Sequence, residues 1–217
     1  MADATFKPLP FEEAIAFFSK KILLSPEEYR SLIEALRQLA FTVSGIAEAD
    51  IIDDIYRQTL KGLTDGISFN DFKKALIEKV SAAWGAAAAS RLDTIFRTNI
   101  QSAYQAGHYK RQREVASAMP YWQYVAVMDS RTRPGHAAMN GKVFRYDSEF
   151  WKKNYPPNGF NCRCTVVALT EGQIKKLGLP VQTTAQDIAD PGFAVSPEDG
   201  WNPDLSKYPD WLKEKVA

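Results

Sequence analysis

Cysteine and histidine are scarce: the sequence holds only Cys162, Cys164, His108 and His136 of these types. Two cysteines one residue apart are poorly placed to bond to each other, so a disulfide framework is excluded and a reducing compartment is the default expectation. Two histidines leave little room for a histidine-built triad or a multi-histidine metal centre. No apolar run approaches the roughly 18 residues of a membrane-spanning helix, so no membrane partner is expected. A surplus of charge is also missing. Lys and Arg number 27 against 26 Asp and Glu, a net of +1, which is no global footprint for nucleic acid. The first residues lack the basic and apolar regions of a secretory leader. A phosphate loop, a GxGxxG after a strand, a GxSxG elbow and an HExxH helix are all absent.

What is present suits a folded chain. Its 217 residues are 45% hydrophobic, with five Trp, nine Tyr and twelve Phe, enough to bury a core in one large domain or two small ones. The expected class is α+β: a helical N-terminal half, a small α+β domain with a short sheet, and an extended C-terminal arm. The expected divisions are 1–86, 87–178 and 179–217.

Helical spacing runs through Phe11, Ala14, Ile15 and Phe18. Ser25-Pro26-Glu27-Glu28 is a capped start for a helix expected to bury Tyr29, Leu32, Ile33, Leu36 and Leu39. Ala47 to Leu63 repeats the pattern and ends at Asp65-Gly66. Ser68 or Asn70 caps a helix carrying Phe72, Leu76, Ile77 and Val80. A long helix is predicted from about Ala87 to about Ser117, interrupted at Gly107, because glycine inside a helix costs about 1 kcal/mol relative to alanine.

The character changes at Met119-Pro120. Segments 121–128, 142–146 and 163–169 read as strands. Arg133-Pro134-Gly135, Asn140-Gly141 and Pro156-Pro157-Asn158-Gly159 read as loops. Thr170 caps a short helix that Gly178 stops. Beyond Pro180 the isolated aromatics Phe193, Trp201, Tyr208 and Trp211 suit an arm laid over another surface, with their burial supplied by a partner.

Chemistry concentrates after the first strand, at Asp129, Arg131 and His136, and where the third opens, at Asn161, Cys162, Arg163 and Cys164. Residues two apart in extended chain share a face, so pairing of the two strands would bring these groups together. Three readings stay open. In one, Asp129 or Asn161 ties down a buried Arg131 or Arg163 and orders the loops; Arg163→Ala would then unfold the back half. In another, Cys162, Cys164 and His136 hold a metal, with Asp129 as a possible fourth ligand. In the last, His136 is an acid or base helped by Asp129 or Glu149. Separately, Lys110, Arg111 and Arg113 form a basic turn, either a solvated face or a contact to phosphate or an acidic partner.

The run from Asp129 to Phe144, then Phe150-Trp151, then Tyr155 to Cys164, resembles the head-morphogenesis domain of phage Mu F-type minor head proteins. Arg97-Thr98-Asn99 and Ala103 to Gly107 are similar to the helix that opens that domain. Leu9 to Phe18, Asp190 to Phe193 and Gly200 to Leu205 resemble the two ends of such proteins. The resemblance implies a minor head protein of a tailed phage, in the virion at the portal vertex or head interior and in host cytoplasm during assembly. Portal protein and major capsid protein are the implied partners, DNA packaging or ejection the implied setting, and no enzymatic activity is implied. Some relatives place Cys at the positions of Arg133 and His136 and His near Gly159; this chain keeps Cys162, Cys164 and at most His136, so no cofactor is expected unless a structural zinc binds there. Some relatives carry toxin domains after this one; none is expected here. The rival functions are a DNA-binding head accessory using Arg97, Lys110, Arg111 and Arg113, and a metal-dependent or nucleotide-acting enzyme built on Asp129, His136 and Cys162.

Overall fold

The computed structural model describes residues 11–202, 206 and 209–216. Leu9, Pro10 and Tyr208 lie outside them. The first half is helical: α1 (Glu12–Ser19), α2 (Pro26–Ser31), α3 (Ala49–Thr64), α4 (Phe69–Trp84) and α5 (Ala88–Glu114). Short strands β1 (Ile22–Leu23) and β2 (Ala40–Phe41) pair in parallel between them. The second half carries β3 (Tyr121–Val125), α6 (Pro134–Met139), β4 (Val143–Arg145), α7 (Glu149–Asn154), β5 (Thr165–Leu169) and α8 (Glu171–Leu177). The α+β class is therefore the observed one. No helix among the described residues is long and apolar enough to cross a membrane.

Local capping starts several of the helices. The Ser25 hydroxyl accepts from the Glu28 backbone N–H while the Glu28 carboxylate accepts from that of Ser25, and Pro26 occupies the first turn. Ser68 caps α4, and Thr170 with Gln173 forms the same reciprocal box on α8. Gly178 ends α8 at φ 62°, where a side chain would be strained.

Two expectations fail for tertiary reasons. The helix from Ser25 stops at Ser31, and a 3₁₀ segment follows at Glu34–Leu39. That break turns Ile33 outward, while Leu32, Leu36 and Ala40 pack with Leu24 and with Leu212 from the C-terminal helix α10 (Asp210–Val216). Nor does Gly107 interrupt α5. A Cβ there would stand 2.8 Å from the Phe11 ring and 2.9 Å from the Ala14 backbone nitrogen. The missing side chain is what lets α1 lie directly on α5.

The long helix serves both halves. Leu92 and Ala103 enter a core with Phe18, Ile55, Phe72, Leu76 and Val80. Six residues past Ala103, Tyr109 enters a second core with Trp122, Tyr124, Phe144, Trp151 and Tyr155. The second core rests on an antiparallel sheet ordered β4-β3-β5, in which Trp122 faces Phe144 on one side and Ala168 on the other. Strand alternation puts Trp122 and Tyr124 on the buried face. The other face is closed by Ile174 of α8 against Val143 and Leu169.

The arm has an unexpected partner: its own chain. Gln182 N–H bonds to the Val143 carbonyl and Asp190 N–H to that of Asn158. Phe193 packs edge-on against Phe160. In α9 (Pro197–Trp201), Trp201 donates to the Ala106 carbonyl at 2.9 Å and packs on Phe17. The aromatic anchors of the described arm thus gain much of their burial within the fold, and the expectation that a partner supplies it is corrected.

Candidate functional site

Antiparallel pairing of β3 with β5 sets Val125 opposite Thr165, so the loop leaving β3 and the loop entering β5 meet at one end of the sheet. Arg133-Pro134-Gly135, expected as loop, instead starts α6, because proline is pre-set for the first helical position. α6 carries His136 inward beneath the second loop.

The converging groups separate into two layers. Outside, Arg163 makes two parallel hydrogen bonds to Asp129, at 2.6 and 2.7 Å. Asp129 also accepts from the Arg131 backbone N–H at 3.0 Å and from the Thr132 hydroxyl at 3.3 Å. The Arg163 guanidinium holds the Asp129 carboxyl well below the usual carboxylate range. Both side chains remain about one-third exposed, at 34% and 35%. The expected burial of this pair is therefore wrong. Arg163→Ala leaves Asp129 in contact with water, and solvated ion pairs contribute little. The variant should keep a melting temperature close to that of the wild type; collapse of the sheet in a thermal melt would show that the clasp carries more than its exposure allows.

Asn161 does not hold an arginine. Its backbone sits at φ 56°, its N–H bonds to Thr98 Oγ1 at 3.2 Å, and its side chain donates to Thr94 Oγ1 at 3.3 Å. It pins the second loop to α5. Asparagine tolerates that left-handed conformation better than most residues.

Inside lie His136, Cys162 and Cys164, which are 3%, 5% and 2% exposed. His136 Nδ1 is 3.8 Å from Cys162 Sγ and 3.5 Å from Cys164 Sγ, and all three donor atoms fall within 4.8 Å of one another. The hydrogen bond between the thiols pulls Cys162 below the usual thiol range, against burial and with help from His136; the same bond and burial push Cys164 up. Two ligands about 2.1–2.3 Å from a tetrahedral centre stand about 3.5–3.8 Å apart, so the sulfur–nitrogen spacings suit a zinc ion without rearrangement. Asp129, engaged by Arg163, is not the fourth ligand.

Two residues beneath this cluster were not singled out from the sequence. Tyr124 couples electrostatically to Cys164, and its hydroxyl accepts from Asn158 Nδ2 at 3.1 Å. Asn158 is fully buried and also donates to the Asn154 carbonyl. Tyr124 was traceable as the inward neighbour of Trp122 on a two-residue period; Asn158 read only as turn chemistry.

The remaining candidates are elsewhere. Glu149 pairs with Lys152 at 2.6 Å at the start of α7. His108 packs edge-on to Phe11. Lys110 lies over the Trp201 ring, Arg111 bonds Glu13 at 2.8 Å, and Arg113 lies over Tyr146. Arg97 bonds Asp93 at 2.7 Å. Each of these cations has a partner within the chain.

Residues 53–167, from within α3 to within β5, match the family described as Phage Mu protein F like protein. The chain is 38% identical over 191 residues to a putative capsid assembly protein F of Escherichia phage Mu, covering 80% of this chain and 43% of that protein. It is 37% identical over 165 residues to the Mu-like prophage FluMu F protein of Haemophilus influenzae, covering 70% of this chain and 40% of that one. The chain thus spans about two-fifths of the length of these curated relatives. No solved structure gives a significant match. The matched segment contains the shared helix, most of the sheet and both loops of the cluster, and the chain belongs to the Phage Mu protein F like family.

Proposed function

We propose that this chain is a minor head protein of a tailed phage, acting in head morphogenesis by docking to portal or major capsid protein, with DNA packaging or ejection as its setting. Its work is binding and not turnover. The observation that carries this reading is the 38% identity to a protein named as a capsid assembly protein. Surface chemistry supports it. Val127 and Met128 on the loop after β3, and Phe160 on the loop before β5, stand exposed at the same end of the sheet. Apolar groups left in water gain free energy when a partner covers them. The test is light scattering coupled to size-exclusion chromatography of this protein mixed with the portal protein, then the major capsid protein, of the same phage. A stable complex with either is expected. Co-elution with neither would defeat the docking reading.

A second reading concerns the buried cluster: His136, Cys162 and Cys164 hold a structural zinc. The spacing of the three buried donors favours it. A zinc there would tie α6 to the loop entering β5, and would stabilise the folded state because only that state presents all three ligands. Protein purified without chelator should carry about one zinc by elemental analysis, and Cys164→Ser should carry almost none. Chelator should lower the wild-type melting temperature and leave that of the variant unchanged. Metal-free wild-type protein that neither takes up zinc nor gains stability from it would defeat this reading.

A further inference from the structure

Residues from both halves line one groove of about 640 Å³. Along α5 its lining includes Ser90, Thr94, Thr98 and Ser102, spaced four apart and therefore on one helix face. Asn161 donates to the Thr94 and Thr98 oxygens, and their O–H groups remain to donate to a ligand carbonyl. Another part of the lining is apolar: Tyr155, Pro156, Pro157, Phe160 and Phe193.

The charged lining is of one sign. Lys21, Arg37 and Arg91 contribute to it, and no Asp or Glu does. These three cations donate to backbone carbonyls, of Gln38, Arg30 and Ser44, and lie over the Phe17, Tyr29 and Trp84 rings, but pair with no carboxylate among the described residues. Arg37 Nε and Thr42 Oγ1 are buried with no hydrogen-bond partner. Burial pushes Lys21 down to about 8, as it does for an ammonium without a counter-charge. Buried charges and donors are ordinarily paired, so this groove is pre-set for an acidic ligand.

We propose that the groove binds an extended acidic peptide segment of another protein. Its carboxylates meet Lys21, Arg37 and Arg91. Its apolar side chains lie against the proline and aromatic lining, and its backbone runs along the α5 hydroxyls. Three cations against a largely apolar lining fit alternating acidic and apolar side chains better than a polynucleotide with one phosphate per residue. The inference rests on the docking reading only for the source of the segment, another protein of the same head.

The test is fluorescence anisotropy of the full chain with labelled decapeptides of alternating Leu-Asp, Leu-Asn and Leu-Lys, and with a labelled ten-nucleotide thymidine strand. The Leu-Asp peptide should bind at least about tenfold tighter than Leu-Asn, the scale of one charge-assisted hydrogen bond, and Leu-Lys should not bind. The double variant Lys21→Met, Arg91→Met, checked for an unaltered melt, should lose that margin. Equal affinity for Leu-Asp and Leu-Asn overturns the proposal on wild-type protein alone. So does a double variant that binds Leu-Asp undiminished, or tighter binding of the thymidine strand at the same groove. A head-protein complex that forms equally well with the double variant overturns the groove as the docking site and leaves docking intact. Peptide binding without any head-protein complex keeps the groove and removes the docking reading.

Discussion

Trp122→Ala should lower the stability of the protein by about 3–5 kcal/mol, the range for removing a large aromatic side chain from a packed core. Trp122 is fully buried on β3, the central strand of the three-stranded sheet, bonded to both others. Its indole meets Tyr109, Trp151 and Tyr155 edge-on with centroids 5.7, 5.8 and 5.7 Å away. Those three rings come from α5, α7 and the residue just after α7, so the cavity would loosen the packing of α5 and α7 on that face of the sheet. A domain has about 5–15 kcal/mol in total, and a loss of this size takes a large share of it. Urea unfolding followed by near-ultraviolet circular dichroism checks the result. A loss under about 1 kcal/mol would mean that the sheet is held by something other than this aromatic core.

Gly107→Val should cost about 3 kcal/mol, the upper part of the range for overpacking. The Phe11 ring 2.8 Å from the new Cβ can rotate away, but the Ala14 backbone nitrogen at 2.9 Å cannot move without lifting α1 from α5. The sign of the milder Gly107→Ala is the sharper test. In an ordinary helix interior that change gains up to about 1 kcal/mol, whereas here it should destabilise. Gly172→Ala in α8 is the control, since a Cβ there meets nothing nearer than Thr170 Oγ1 at 3.8 Å. It should be neutral or mildly stabilising. Chemical denaturation of the three variants decides it, and a stabilising Gly107→Ala would defeat the close-approach account.

Much was readable residue by residue. Ser25, Ser68, Thr170 and Gly178 announce helix ends because a cap satisfies backbone groups within a few residues of itself. The three strands were readable because alternation and β-branching are local too. The break after Ser31 was not, since the residues beyond it pack with Leu212 from the far end of the chain. Gly107 was misread for the same reason: its propensity is a property of the residue, but its use depends on which helix lies against it.

The cluster divides in the same way. Sequence alone determined that Asp129, Arg131 and His136 follow the first strand candidate, that Asn161, Cys162, Arg163 and Cys164 stand where the third opens, and that pairing of those strands would bring them together. Only the tertiary structure decided which of them share an environment. It put Asp129 and Arg163 at the rim, where water can solvate their charges, and Asn161 against α5. His136 and the two thiols went beneath, into contact with one another. Strand pairing sets proximity, but burial depends on what packs over the loops, and no pattern along the chain encodes that contact.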